Sequence, residues 1–332
     1  DESKCFSCSS ASSSDHGDHV SGTIMGAGNV DPTAKGMADG VFLFTMRGSD
    51  NNNYDSVPAL YNSNDAFITS ASWGDGCNDG YTSLSNKLDK QVRDYPSLTH
   101  VFSCGNSGTS DCSYGAGSGW GNITGGHKQA KNVIAVGRLD LNGVVFSSSS
   151  RGPAADGRIK PDICAKGSSV YSTDDPSAAA IYYTESGTSM AYPAVSGTLA
   201  LLHEAYRDLN GDQDANAGLL KCILLNSADD IGNPGPDFTH GFGEVNAFRA
   251  VKLLENNNYF SSSISQGVTN VHNITVPLGT KEIKVMVYWQ DKEASTSAST
   301  ALVNDINMIL NSSSGWTYNP WVLDPTPNVA NL

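Results

Sequence analysis

The chain has 332 residues, a formal charge of -14 at pH 7, 39% hydrophobic and only 16% charged residues, and 34 glycines. So acidic a composition argues against nucleic acid, whose phosphates select basic surfaces, and no run of about 18 apolar residues is present to cross a membrane. Low charge with abundant Gly, Ser and Asn fits a large-cored extracellular protein rather than a disordered one.

Fifteen residues precede the first histidine, His16, and beyond Cys5 and Cys8 they are a Ser-rich run in which no strand is expected. Apolar runs at 41–46, 66–71, 100–103 and 133–136 are expected to be buried strands. Amphipathic stretches at 84–95, 188–209, 217–228 and 246–256 are expected to be helices. Their alternation predicts an α/β fold, a parallel sheet flanked by helices on both faces. Ligands bind such sheets where strand C-termini meet helix N-termini. After residue 256 the pattern changes to a polar Asn- and Ser-rich connector, then to alternating segments at 271–276, 284–289 and 304–310. These predict the start of an antiparallel β-sandwich, dividing the chain into domains 1–258 and 268–332.

Three stretches carry chemistry. Gly187-Thr188-Ser189-Met190-Ala191-Tyr192-Pro193-Ala194-Val195-Ser196-Gly197 presents a hydroxyl in the positive field at the start of the 188–209 helix. A serine hydroxyl needs a positioned base, and Asp15-His16-Gly17-Asp18-His19-Val20-Ser21-Gly22-Thr23 offers one. Val101-Phe102-Ser103-Cys104-Gly105-Asn106 ends an apolar run in a side-chain amide of the kind that stabilises an oxyanion. Taken singly, these are a small-residue turn, a structural histidine and a turn-forming asparagine. Cys5, Cys8, His16 and His19 are spaced too closely for a two-Cys, two-His zinc site. Cys104, Cys164 and Cys222 fall in apolar segments and read as buried free thiols.

Together, and in the order His, Asn, Ser, the three stretches resemble the signatures of the subtilisin-like serine proteases. Phe146-Ser147-Ser148, Ser150-Arg151-Gly152-Pro153 and Lys160-Pro161-Asp162 extend the resemblance across residues 15–255. The chain departs from the pattern at Asp18, at Asp39 and in an extra serine before Arg151. The resemblance implies a subtilisin-like fold and an acyl-enzyme on Ser189. It makes His16, opening a helix, the general base, His19 a supporting residue, and Asn106 with the Ser189 amide the oxyanion hole. Ser72, Trp73, Gly74, Ser103 and Gly105 would then bind an extended polypeptide, and the loop 115–126 would lie near the specificity pocket. Cys77 and Cys112 would face each other across the cleft as a disulfide. The family's aspartate motif is missing, so its central strand is expected upstream of Asp1, and the 332 residues alone are expected to fold poorly and be nearly inactive. The C-terminal part, with Ala301-Leu302-Val303-Asn304-Asp305, resembles the β-sandwich that follows some larger members, also cut short. The implied protein is a secreted monomeric endopeptidase without a catalytic cofactor or a nucleic-acid or membrane partner. A structural Ca²⁺ through Asp305 and a propeptide stay open. The alternative is an inactive peptide-binding protein lacking the aspartate; the sedolisins, which place an acid at the position of Asn106, do not fit.

Overall fold

Strand β4 (Thr99–Ser103) is buried along its whole length, and its period of two sends alternate side chains into two different cores. In the computed structural model, which describes residues 4–7, 15–46, 54–174 and 181–327, β4 is central to a four-stranded parallel sheet. The order is β3 (Ile68–Ala71), β4, β5 (Ile134–Leu139), β6 (Ile163–Lys166), with Val101 opposite Ile134 and Val136 opposite Ile163. On one face Val101, Ile134, Val136 and Ile163 pack on Met190, Val195, Leu199 and Leu202 of α4 (Thr188–Leu209), with α5 (Ala217–Asn226) and α6 (Ala247–Glu255) behind it. On the other, Phe102 meets Leu84 and Leu88 of α3 (Ser83–Asp94) and Val57 of α2 (Val57–Asn64). Burying each such side chain fully contributes about 1.5–3 kcal/mol. The α3 helix starts where the Thr82 hydroxyl and the Ser85 hydroxyl each accept the other residue's backbone N–H, a reciprocal cap.

The N-terminal part corrects one expectation. A strand, β1 (Lys4–Ser7), precedes α1 (Asp15–Met25), and it pairs in parallel with β2 (Phe44–Met46) as a separate two-stranded sheet. Short and polar, it has no hydrophobic run to announce it. Among the described residues β2 makes no ladder with β3, and β3 is half-buried throughout, unlike β4 and β5. A hairpin of β7 (Val170–Thr173) and β8 (Tyr182–Glu185) also went unforeseen, as did α2, whose Pro, Asn and Ser content reads as loop.

The C-terminal part carries the second correction. The segments 271–276, 284–289 and 304–310 form no sandwich strands; the antiparallel pairing found there is β9 (Leu310–Asn311) with β10 (Thr317–Tyr318). Alternation describes two faces of a strand, but a strand also needs a neighbour to accept its N–H groups. Residues 284–304 instead run along the α/β body as a strap. Asn132 exchanges two hydrogen bonds with the Asp291 backbone (2.8 and 3.1 Å), Tyr81 Oη accepts the Ala294 N–H (3.1 Å), and the Asn86 amide donates to Ala294 O (2.6 Å). The buried Asp291 carboxylate pairs with Lys131 (2.6 Å) and accepts the Val303 and Asn304 N–H groups.

Two kinds of polar group in the core decide how stability depends on conditions. Asp162, at the entrance to β6, accepts from Lys160 Nζ at 2.5 Å, lies 2.9 Å from Lys221 Nζ of α5 and accepts the Ala135 N–H at 2.8 Å. Burial pushes its pKa up, but the two ammoniums and the hydrogen bonds outweigh that and hold the carboxyl below its ordinary range. Histidines 100, 127 and 203 are buried, and desolvation lowers their pKa values to about 3, 3 and 4. They are therefore neutral in the fold, whereas unfolded histidine binds a proton below about pH 6.5. Their stabilising contribution is present above that pH and is lost as pH falls from about 6.5 toward 4, each proton contributing about 1.4 kcal/mol per pH unit. We expect the urea midpoint to fall steadily over this window. His203→Phe, keeping a ring stacked on Phe67, should make the decline shallower, and an unaltered slope would count against this account.

Candidate active site

The β7–β8 hairpin ties two helix N-termini together. β7 holds α1: His19 Nε2 bonds Val170 O (3.0 Å), and the Ser172 and Thr173 hydroxyls donate to His19 O (2.9 Å) and Asp18 O (2.7 Å). An ideal Cβ on Gly22 would lie 2.0 Å from Thr173 Oγ1, so only glycine permits this approach. β8 ends at Glu185, three residues before α4 begins at Thr188. His16 and Ser189 thus stand in the first turns of two packed helices.

Asn106 follows β4 after Gly105, which holds φ +116, a backbone conformation that glycine tolerates. Its Oδ1 accepts both the Thr188 N–H (3.0 Å) and the Thr188 hydroxyl (3.1 Å). The amide's orientation is thereby set, and Nδ2 has no hydrogen-bond partner among the described residues. An ideal Cβ on Gly187 would sit 3.6 Å from Ser189 N and 3.7 Å from Asn106 Nδ2. Two N–H groups, one main-chain and one side-chain, therefore border the same small space at Gly187.

Ser72 Oγ stands 2.5 Å from Ser189 Oγ and 3.1 Å from Ser103 Oγ, forming a chain of three hydroxyls. The hydrogen bond from Ser189 to His16 that the sequence led us to expect is not formed. His16 is half-buried and makes no hydrogen bond to any described residue, and no described carboxylate orients its ring. The Asp15 side chain and the whole of Cys8 lie outside the described residues.

A cleft of about 310 Å³ opens at this point, lined by Ser72, Trp73, Gly74, Ser103, Gly105, Asn106 and Ser189, with Asp75, Gly76, Ser107, Thr124 and Lys128. It thus gathers Asn106, Ser189 and the five expected substrate-binding positions; His16 is not part of its lining. Lys128 is the resident that sequence reading missed. A lysine beside a Gly-rich loop looks solvent-exposed, and only its place six residues before the buried strand β5 hinted otherwise.

Cys77 and Cys112 form the expected disulfide, Cα–Cα 5.4 Å, joining the loop after Gly76 to the facing loop after Ser107. Cys104 and Cys164 are buried free thiols, whereas Cys222 is only partly buried. Asp305 is exposed, and among the described residues no three His, Cys, Asp or Glu side chains gather as a metal site, so nothing assigns a calcium ion to it. No described helix is long and apolar enough to cross a membrane.

A serine at a helix start, lining one cleft with a side-chain amide at the end of a parallel strand, defines a class. The chain belongs to the subtilase family, the subtilisin-like serine endopeptidases, whose family description matches residues 8–243. Among individual proteins, it is 30% identical to subtilisin DY of Bacillus licheniformis over 245 residues, covering 71% of this chain and 77% of that one. It is 35% identical over 140 residues to serine protease AprX of Bacillus subtilis, covering 37% of this chain but only 30% of AprX. The fold is similar to that of patellamide maturation protease PatA, with a TM-score of 0.58 at 22% identity over 73% of this chain and 84% of that one.

Proposed function

We propose that the protein is a secreted endopeptidase that cleaves polypeptides through an acyl-enzyme on Ser189. In this reading His16 takes the serine proton and returns it to the leaving amine, while Asn106 Nδ2 and the Ser189 N–H hold the oxyanion. The observation that supports it is that those two donors border one space at Gly187, in residues that line the cleft together. Attack turns a planar carbonyl into an oxyanion, and donors already fixed in place stabilise it without reorganising. The disulfide Cys77–Cys112 supports secretion, because such bonds persist in oxidising compartments. The test is labelling of the full-length protein with a fluorophosphonate: one label per chain, on Ser189, with hydrolysis of a peptide substrate lost in parallel.

Asn106→Leu is expected to lower kcat by about 10²–10³ with KM little changed, a magnitude carried over from the corresponding loss in subtilisin itself. A large change in KM with kcat intact would make Asn106 a groove-shaping residue instead. A second reading, a peptide-binding protein without catalysis, is supported by the bond that joins the Ser189 hydroxyl to Ser72. It predicts peptide affinity with neither labelling nor cleavage.

A further inference from the structure

We propose that the cleft beside Ser189 accepts an acidic side chain, aspartate or glutamate, on the residue whose carbonyl is attacked, its carboxylate held by the Lys128 ammonium and the Thr124 hydroxyl. The inference rests on the peptidase reading and names its substrate class. Lys128 is 1% exposed, yet it lines the cleft. Its Nζ donates to Thr124 Oγ1 at 2.7 Å, which occupies one of the three donors of an ammonium. Among the described residues no carboxylate lies within ion-pair distance of it. A buried cation without a contacting counter-ion is costly to the fold, and burial lowers its pKa to about 8 against a weaker upward pull from the Asp75 carboxylate. It still carries its proton at pH 7.

Bare glycine backbone packs against this group. An ideal Cβ on Gly74 would lie 2.6 Å from Thr124 Oγ1 and 2.8 Å from Lys128 Nζ, and one on Gly105 would lie 2.3 Å from the same oxygen. Both banks are thus bare of side chains where they face the Thr124–Lys128 pair. Trp73 is the single large apolar side chain in the lining, so the slot offers little to a Leu or Phe. Asp75, the other charge in the lining, has a side chain 70% exposed and stands 3.6 Å from the neutral ring of His127. Its repulsion acts through solvent and is screened, whereas the buried ammonium's attraction is not. Cys104, also near Lys128, has its thiol pKa raised to about 11 by burial and carries no charge at neutral pH.

The experiment uses the full-length protein and end-blocked peptides that differ only in the residue before the scissile bond: Glu, Asp, Gln or Leu. At pH 7, kcat/KM for Glu or Asp should exceed that for the neutral Gln isostere by at least about tenfold, and Lys128→Met should bring the ratio close to one. Loss of a buried charge partner commonly costs upward of about 30-fold. In the unmodified enzyme the same ratio should decline as pH rises through about 8 and the Lys128 ammonium deprotonates, a readout that survives if the variant fails to fold. Affinity of Ser189→Ala for the same peptides reads the pocket without chemistry. Glu bound at least about tenfold tighter than Gln supports the proposal even if no peptide is cut, in which case the peptidase reading alone fails. A preference for Leu, a Glu:Gln ratio near one, or a ratio indifferent to Lys128→Met overturns it.

Discussion

Replacing Ser189 by alanine is expected to reduce peptide hydrolysis by about 10⁶-fold, with the cleft and the fold intact. That magnitude is the one known for the equivalent loss in subtilisin, a member of the same family. The reason for the size is that, in the proposed mechanism, the hydroxyl would provide the covalent route itself. Without it, Asn106 and the residue-189 N–H would still border the same space, and on the proposed mechanism their stabilisation of an oxyanion formed by water would leave only a residual rate. Removing one hydroxyl should not disturb packing, because the Ser72 hydroxyl that touches it keeps Ser103 as a partner at 3.1 Å. Hydrolysis assays alongside circular dichroism would check both halves. Activity within tenfold of the unmodified enzyme would mean that another group is the nucleophile.

The largest expected effect on stability is at Asp162. Asp162→Ala leaves the Lys160 and Lys221 ammoniums buried together, and breaking a buried pair in this way costs about 3–5 kcal/mol, out of a typical total of about 5–15. Lys221 loses least, since it also donates to the Val133 and Lys131 carbonyls (2.7 and 3.1 Å). Lys160 keeps only a long contact to Val133 O at 3.4 Å. Because the folded carboxyl titrates below its ordinary range, its contribution is present above about pH 3.9 and is lost as pH falls through the folded value. Guanidinium unfolding at pH 7 should show the drop. Replacing both lysines by methionine alongside Asp162→Leu should recover much of it, and a loss under about 1 kcal/mol for Asp162→Ala alone would refute the argument.

What could be read from the residues alone follows a pattern. The α4 helix runs from Thr188 to Leu209, as expected, because a small-residue turn and a long apolar periodicity mark both its ends locally. The β4–Asn106 junction is equally local: a hydrophobic run, then a glycine permitting positive φ, then the amide. The partner of the Ser189 hydroxyl was not legible, since Ser72 is 117 residues away and nothing in either segment records the other. Lys128 misled for a related reason. Its type predicts exposure, and only the folded cleft reveals that its ammonium is enclosed. The C-terminal strands failed where periodicity is silent, in whether a neighbouring strand exists to complete the ladder.

The strap of residues 284–304 has a consequence for synthesis on the ribosome. Tyr81 Oη donates to the buried Asp89 carboxylate at 2.7 Å and waits for Ala294, 213 positions later, to supply its own donor. At about 5–20 residues per second, that partner emerges roughly 10–40 s after Tyr81. Until then Tyr81, and Lys131 and Asn132 once they are made, remain without their strap contacts, and the nascent α/β body lacks those ties. Vectorial translation thereby sets a delay between the appearance of Ser189 and the completion of the body around it.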